Sequence, residues 1–407
     1  MSTEIETTCC IVGGGPASMM LGFLLARTGV RVTVLEKHAD FLRDFRGDTI
    51  HPSTLEILGE LGLLEEFLER PHDELGAVKA QFGGETFTIA DFSRLGTRCH
   101  FIAFMPQWHF LDFLADHAKA LPNFDLRMET EGLALLREGE TVTGVTARGP
   151  QGEVTIRADL VVAADGRTSR LREDAGLAVE TLGAPIDVLW FRIGREPGDT
   201  DDVLGRVDAG SFMVTIDRGD YWQCAYVIAK GQADVVKAQP LQDFRQKVAK
   251  ASPHLRAHVD DLKSWDDVKL LSVAVDRLAQ WSLPGLLCIG DAAHAMSPVG
   301  GVGINLAIQD AVAAANLLAA PLLEKSVTPD LLDRVRRRRA FPARVVQGFQ
   351  VFVHDHYLAP TLAGTRIAVP LVIRLLDWLP VLRGLPARFI GIGVRPEHVH
   401  LPPGPKP

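Results

Sequence analysis

The chain has 407 residues, of which 47 % are hydrophobic, and its formal net charge is −8 at pH 7. This length and composition predict a globular protein with a large hydrophobic core and two domains. The acidic balance argues against a nucleic acid partner, because nothing overall attracts the chain to phosphates.

The N-terminal residues and the cysteines favour a cytoplasmic protein. The N-terminal stretch MSTEIETT lacks the basic and apolar regions of a secretory signal. The five cysteines lie mostly in apolar runs, and their odd number favours reduced thiols in the core. Cys9 and Cys10 are adjacent in a predicted strand, so their side chains point to opposite faces and no metal site is expected.

A βαβ unit is predicted at the start of the chain. The run 7–12 favours a buried strand, the glycines 13–15 a turn, 17–27 a helix and 30–35 a second strand that ends on Glu36. Glycines let a backbone approach a pyrophosphate, and a helix N-terminus offers unpaired N–H groups. An acid about twenty residues after the glycines is placed to accept hydrogen bonds from an adenosine ribose. The unit therefore predicts dinucleotide binding rather than a plain turn, although a serine replaces the third glycine of the motif.

A second motif is RADLVVAADGRTSRLRE, residues 157–173. It predicts a buried strand that breaks at Asp165-Gly166 and restarts as a helix with Ser169 as its N-cap. An Asp-Gly pair alone is typical of an ordinary turn. The Asp-Gly pair therefore indicates a binding function only in combination with the other motifs of the chain.

A third motif, residues 286–318, predicts a strand that ends at Gly290-Asp291, a glycine-rich loop and a long helix that begins near Ile304. In this order and at these spacings, the three motifs resemble the single-component flavoprotein monooxygenases of the para-hydroxybenzoate hydroxylase type. The resemblance extends over residues 5–340. It implies a mixed α/β fold, with a Rossmann-like FAD-binding domain, an interleaved antiparallel substrate sheet and a helical C-terminal segment.

The resemblance also implies an activity and a domain organisation. FAD, reduced by transiently bound NADPH or NADH, would react with O2 to form a C4a-hydroperoxyflavin that hydroxylates an apolar, aromatic small molecule. That species survives only in a dry cavity. The FAD-binding domain is expected at 1–75, 98–182 and 281–340, the substrate domain at 76–97 and 183–280, and the C-terminal segment at 341–407.

The FAD site is assigned residue by residue from the resemblance. The first motif would bind the ADP part, Asp165-Gly166 would serve both FAD and NAD(P)H, and Asp291 would hold the ribityl and ribose side. Arg46 alternatively pairs with a neighbouring aspartate, and Gln107 alternatively only begins a helix. The expected set is Gly13, Gly15, Pro16, Ala17, Glu36, Lys37, Arg46, Gln107, Gly132, Asp165, Gly166, Asp291, Pro298, Gly301, Val302, Gly303, Ile304 and Asn305.

Two residues of the third motif are candidates beside the reacting atoms. The flavin performs the chemistry in this family, so no protein nucleophile is expected. Pro298 is expected to position the flavin, because the family's matching proline lies beside the reaction site. His294 is a candidate base, or alternatively a histidine that packs at the edge of the loop.

Residues 186–229 alternate β-branched and aromatic residues, which predicts an antiparallel sheet above the flavin. A helix is predicted over 241–251 and a returning strand over 269–281. The sequence does not fix which alternate residues face the substrate. The candidate lining residues are Arg192, Phe212, Trp222 and Tyr226, and ordinary sheet core is the alternative for each.

The C-terminal part has a basic run at 334–345, typical of a solvated helix face, and an apolar stretch at 367–394. Charges and a proline interrupt the apolar stretch, so it is not expected to cross a membrane. Helices that pack on the FAD domain are favoured, with a homodimer contact or a lipid-facing surface as the alternatives. For the whole protein, a reductase, a halogenase or a non-catalytic FAD-binding protein remains the alternative function, although no W-x-W-x-I-P element of flavin halogenases is present.

Overall fold

The computed structural model describes residues 3–42, 49–196, 198–199, 203–365 and 368–401. Within these residues the helices are α1 (Pro16–Arg27), α2 (Pro52–Glu60), α3 (Leu64–Leu68), α4 (Gln107–Lys119), α5 (Arg170–Asp174), α6 (Ala233–Lys237), α7 (Leu241–Ala251), α8 (Gly303–Leu323), α9 (Pro329–Val353), α10 (Ala359–Leu362), α11 (Leu371–Trp378) and α12 (Gly384–Gly391). A π-helical turn, His354–Leu358, links α9 to α10.

The strands are β1 (Thr3–Val12), β2 (Val32–Leu35), β3 (Thr49–Ile50), β4 (Asp73–Leu75), β5 (Ala77–Phe82), β6 (Glu85–Asp91), β7 (Ile102–Phe104), β8 (Phe124–Arg127), β9 (Glu131–Glu138), β10 (Thr141–Gly149), β11 (Gly152–Ala163), β12 (Val179–Thr181), β13 (Ile186–Gly194), β14 (Gly205–Asp208), β15 (Ser211–Asp217), β16 (Tyr221–Ala229), β17 (Lys269–Ser272), β18 (Asp276–Leu278), β19 (Ser282–Leu283), β20 (Leu286–Cys288) and β21 (His294–Ala295). They form two large sheets and two small ones.

The first large sheet has the order β19-β20-β11-β1-β2-β8, and β20, β11, β1, β2 and β8 run parallel. The hairpin of β9 and β10 continues it from β11. Every residue of β2 is buried, because helices such as α1 cover parallel strands on their faces. All five cysteines are buried as well, and burial raises the pKa of Cys10 to about 12.

The second large sheet has the order β17-β13-β16-β15-β14-β5-β6 and is antiparallel except where β14 meets β5. Two separate chain segments therefore build it. The predicted returning strand over 269–281 is confirmed only at its start, because β17 joins this sheet whereas β18 pairs with β12 and β21. The side chain of Asp187 fixes the end of β17, since it accepts the N–H of Val273 at 3.0 Å.

Helix α8 lies at the centre of the molecule, in contact with α1 and α9. Among the described helices it is the one long and apolar enough to cross a membrane. However, 72 % of its apolar window is buried inside the protein, which is the property of a core helix. The two sheets and this helix confirm the predicted mixed α/β fold with a Rossmann-like domain and an antiparallel sheet.

Candidate active site

The three glycines after β1 differ in their surroundings: two are in close contact with the protein and one borders open space. Gly13 has φ +107°, and a Cβ there would lie 2.3 Å from the Ala164 carbonyl oxygen. Gly14 donates its N–H to Glu36 Oε2 at 2.8 Å, and a Cβ would lie 2.6 Å from that oxygen. At Gly15 a Cβ would meet nothing within 4 Å. Internal packing therefore requires the first two glycines, whereas Gly15 borders open space.

Helices α1 and α8 both present their N-terminal turns to this region. The first backbone bond of α1 runs from Met19 N–H to Gly15 O at 2.9 Å, and that of α8 from Leu306 N–H to Val302 O at 3.0 Å. The N–H groups that precede them, such as that of Ala17, have no acceptor within the helix. These groups and the positive ends of the two dipoles favour an anionic ligand.

Gly290 is the point where the two helices meet. It has φ +58°, and a Cβ there would lie 3.2 Å from Ala17 Cβ and 3.4 Å from Ala307 Cβ. Its N–H donates to Asp310 Oδ2 at 3.1 Å. Asp291 follows directly, so the Gly-Asp turn is held at the converging N-termini of α1 and α8.

A buried charge network lies behind this turn. Asp310 accepts hydrogen bonds from His294 Nε2 at 2.6 Å and from Arg339 Nε at 3.0 Å, and Glu397 accepts from Arg339 Nη1 at 3.2 Å. Burial opposes a charge on His294, but the Asp310 carboxylate raises the pKa of that imidazole. Burial likewise opposes the charge on Asp310, yet His294 and Arg339 lower the pKa of its carboxyl group. The candidate base His294 is 2 % exposed and committed to Asp310, which favours its packing role.

The Asp-Gly motif is tied to the Gly-Asp motif by arginines. Ser169 caps α5 by accepting the Arg172 N–H at 3.1 Å, which confirms the predicted cap. The Arg172 guanidinium donates to the Ala292 carbonyl oxygen at 3.2 Å, and Arg167 lies 3.5 Å from Asp291 Oδ2. One oxygen of Asp165, Oδ1, is buried without a hydrogen-bond partner among the described residues. An unpaired buried carboxylate oxygen is costly, so a ligand hydroxyl is the partner that its position suits.

The loop before α8 is held by residues 49–54. Thr49 Oγ1 donates to the Gly301 carbonyl oxygen at 2.9 Å, and a Cβ on Gly301 would lie 2.8 Å from that hydroxyl. Asn305 Oδ1 accepts the His51 N–H at 3.0 Å and the Thr54 hydroxyl at 2.7 Å. The side chain of Asn305 is therefore occupied by the protein, which leaves its backbone N–H for a ligand.

The first turn of α8 offers backbone rather than side chains. Val302 is buried in a cluster with Met296 and Val346, and Ile304 is buried in the main core. A Cβ on Gly303 would meet nothing within 4 Å. This turn therefore borders open space, as Gly15 does.

Helix α9 clamps the other end of the loop. Gln350 accepts the Ser297 N–H at 3.1 Å and donates to the carbonyl oxygens of Ser297 and Val299, both at 2.9 Å. Ser297 Oγ lies 2.8 Å from His354 Nε2, and burial lowers the pKa of His354. Since Pro298 lies between the clamped residues, α9 and the π-helical turn position it.

These features fit FAD. The open space at Gly15 and Gly303, the paired helix N-termini, the unpaired Asp165 oxygen and the acids Glu36 and Asp291 match a diphosphate flanked by hydroxyl-bearing groups. Gly166 also borders open space. When bound, FAD supplies electron transfer from a nicotinamide and the activation of O2. The fold and the site thus define a flavin-dependent oxidoreductase.

The remaining expected FAD residues are spread around this site. Lys37 is exposed beside Glu36, and Gln107 is the half-buried first residue of α4. Gly132 lies in β9, where a Cβ would be 2.6 Å from Val12 Cγ1, so close packing alone requires this glycine. Arg46 lies outside the described residues.

The two faces of the second sheet separate the expected substrate residues. Trp222 and Tyr226 lie in a buried cluster with Phe244 of α7, whereas Phe212 packs on the opposite face, in the cluster that Val299 joins. Trp222 and Tyr226 therefore lie on the face opposite the cluster that contains Val299, and their role as lining residues stays a prediction. Arg192 lies at the exposed end of the sheet, with its guanidinium 4.8 Å from the Tyr221 ring centre.

The sequence analysis did not identify the buried polar residues that hydrogen-bond to the loops of the site. Asp310 is a lone acid in an apolar helix, and that pattern signals a buried partner. Gln347, Gln350 and His354 recur at helical spacing, and all three are buried. A polar stripe at that spacing on an otherwise packed helix was the available signal.

The comparisons with known proteins agree with this site. Residues 6–348 match the family model described as FAD binding domain. The 6-methylpretetramide 4-monooxygenase of Streptomyces rimosus is 33 % identical over 336 residues, 82 % of this chain and 80 % of that protein. The rifampicin monooxygenase of Streptomyces venezuelae is 32 % identical over 315 residues, 74 % of this chain and 61 % of that protein. The solved structure of the anhydrotetracycline hydroxylase OxyS of Streptomyces rimosus has the same fold, with a TM-score of 0.74 at 24 % identity over 95 % of this chain and 76 % of that one.

The chain belongs to this FAD binding domain family. It is an FAD-dependent monooxygenase of the para-hydroxybenzoate hydroxylase type, with NADPH or NADH as the reductant. As a monooxygenase it uses O2 as a co-substrate. The predicted family, activity class and cofactor are thereby confirmed.

Proposed function

We propose that this enzyme hydroxylates a flat, apolar aromatic compound held between the loop 298–305 and one face of the second sheet. This is the face that carries Phe212, and we call it the inner face. The observation that carries the proposal is the position of Val299. This residue follows Pro298 and packs in the same cluster as Trp190, Phe212 and Val214 of the sheet. The loop that would cradle the flavin thus faces aromatic and branched side chains.

The chemistry of that face supports oxygen transfer rather than loss of peroxide. The cluster around Val299 includes the apolar side chains of Val188, Ala225 and Val227, and the polar pair Arg192 and Gln223 follows further along the same face. Apolar walls exclude water, and water is what diverts activated oxygen to H2O2. We further propose that the enzyme acts in the cytoplasm, where NADPH and NADH are available and buried cysteines stay reduced.

The proposal is tested by isotope incorporation. Purified protein with bound FAD is mixed with NADPH or NADH under 18O2, together with 6-methylpretetramide, rifampicin or simple phenols in separate reactions. We expect at least one aromatic compound to accelerate NAD(P)H oxidation and to gain one labelled oxygen atom. Stimulated oxidation that yields only H2O2 with every compound contradicts hydroxylation and favours a reductase.

A pair of variants tests the location of the substrate. Phe212→Ala removes a ring from the inner face and is expected to raise KM for the aromatic compound about tenfold or more, since a buried aromatic contributes about 1.5–3 kcal/mol. Tyr226→Phe changes the opposite face of the sheet, which packs on α7, and is expected to leave KM unchanged. If the Tyr226 variant has the larger effect, the substrate lies elsewhere.

A further inference from the structure

Helix α11, the turn after it and the start of α12 expose a set of large apolar side chains, which we call the C-terminal apolar face. Its members share high exposure: Leu371 85 %, Val372 60 %, Leu375 43 %, Trp378 76 %, Val381 65 % and Leu385 65 %. Leu371, Leu375 and Trp378 follow the i, i+4, i+7 spacing of one helical stripe. The stripe points away from the protein.

The expectation that the segment 367–394 packs on the FAD domain holds for α12, where Phe389 packs beside Val302 and the Ile390 carbonyl oxygen accepts from His51, but not for the exposed stripe of α11. Leu376 is the buried residue of α11, and the helix rests against β6 at the edge of the second sheet. A contiguous face of six such residues marks an interaction surface rather than ordinary surface scatter.

The charges on this segment differ from those of the whole chain. Residues 368–394 contain three arginines (Arg374, Arg383 and Arg388) and one acid, Asp377, whereas the chain as a whole has a net charge of −8. Arg383 Nη2 lies 3.1 Å from Asp377 Oδ1, so the acid is already neutralised within the segment. Arg374 and Arg388 are exposed beside the apolar residues. The segment itself is therefore apolar and carries a net positive charge.

We propose that the C-terminal apolar face binds an anionic lipid surface, with α11 lying in the plane of the interface. An apolar stripe flanked by arginines and carrying a tryptophan is the composition of interfacial helices. Anionic headgroups complement the arginines, whereas a symmetric dimer through this face would place the same cations against each other. The proposal does not depend on the substrate or on catalysis.

Vesicle flotation of the purified full-length holoenzyme tests the proposal. We expect binding to vesicles of phosphatidylcholine with about one third phosphatidylglycerol, and much weaker binding to phosphatidylcholine alone, because the arginines are attracted to anionic headgroups. Leu371→Ser combined with Trp378→Ser should reduce the bound fraction at least about tenfold. Arg374→Gln combined with Arg388→Gln should reduce binding to the anionic vesicles roughly tenfold or more.

The control is Val235→Ser, which removes an apolar side chain that is 55 % exposed on α6, outside this face. It should bind vesicles as the unchanged protein does, and thermal unfolding should show that every variant is folded. Absence of binding to both kinds of vesicle overturns the proposal. So does a lipid-free dimer, seen by sedimentation velocity, that the Leu371 and Trp378 substitutions dissociate, because the face would then bind a second copy.

Discussion

The two large sheets differ in where they carry function. In the parallel sheet the candidate FAD residues follow the ends of four neighbouring strands: Gly13 after β1, Glu36 after β2, Asp165 after β11 and Asp291 after β20. In the antiparallel sheet the proposed substrate residues lie on one face, that of Phe212. The carboxyl ends of parallel strands converge on one crevice, whereas an antiparallel strand divides its side chains between two faces. Substitutions at a strand end of the parallel sheet should therefore weaken FAD binding. Substitutions on the second sheet should instead weaken substrate binding.

The largest effect is expected at the first glycine. Gly13→Ala combines a backbone conformation that disfavours a side chain with a Cβ 2.3 Å from the Ala164 carbonyl oxygen. Strain and overpacking each cost about 1–3 kcal/mol, so we expect a lower unfolding temperature and little bound FAD. Thermal unfolding and the flavin absorbance of the purified protein measure both.

Gly15→Ala separates folding from binding at the same turn. Gly15 has φ −78°, which any residue adopts, and a Cβ there meets nothing within 4 Å of protein. We expect an unfolding temperature close to that of the unchanged apoprotein but at least about tenfold weaker FAD binding, because the added carbon occupies the space for the diphosphate. Normal FAD affinity in this variant would show that the open space belongs to something else.

The next effect concerns the end of β20. Asp291→Ala removes the carboxylate that lies 3.5 Å from Arg167 at the converging helix N-termini. We expect largely colourless protein with near-normal stability, since a surface ion pair contributes only about 0–1 kcal/mol. Asp333→Ala, which removes an aspartate on α9 remote from the flavin, is the matched control and should keep its flavin. Full flavin content in the Asp291 variant would contradict the ribose assignment.

A third pair compares two buried glutamines one turn apart on α9. Gln350→Leu leaves the Ser297 N–H and two carbonyl oxygens of the Pro298 loop unpaired, whereas Gln347→Leu releases the carbonyl oxygens of Asp276 and Ala295. Each should lower stability by about 1–3 kcal/mol. Only the Gln350 variant should also weaken FAD binding and increase the fraction of NAD(P)H oxidation that yields H2O2. Equal effects on FAD in both variants would mean that the loop has no special role.

The last effect is a pH dependence at His51, which is absent near neutral pH and develops only as the pH decreases. The Nδ1–H of this ring donates to the Ile390 carbonyl oxygen at 2.8 Å, and burial lowers the pKa of His51 from 6.5 to about 4. Between these values the unfolded chain binds a proton that the folded chain does not, so stability falls as the pH decreases. Relative to His51→Asn, whose amide can still donate to Ile390, the protein should lose about 1.4 kcal/mol per pH unit from 6.5 to 4. A stability difference that does not change with pH would contradict a buried neutral histidine.

The extent of sequence-based prediction differed between the two sheets. The strand and helix around Gly13, the cap at Ser169 and the helix 241–251 were predicted because each depends on residues close together in the chain. The sequence left open which face Trp222, Tyr226 and Phe212 occupy, because register depends on the partner strands and not on the alternation itself. The role of His294 likewise depended on Asp310, sixteen positions away in sequence.

By itself the sequence determined the family, the FAD-binding turns and the mixed α/β class, because glycines and acids at fixed offsets from short strands are local signals. The tertiary structure alone decided which face of the second sheet meets the Pro298 loop, that α9 holds this loop through Gln350, and that the stripe on α11 stays exposed. The physical reason is that the burial and the hydrogen bonds of a residue depend on which other residues pack against it. Residues that lie opposite each other are often distant in the chain.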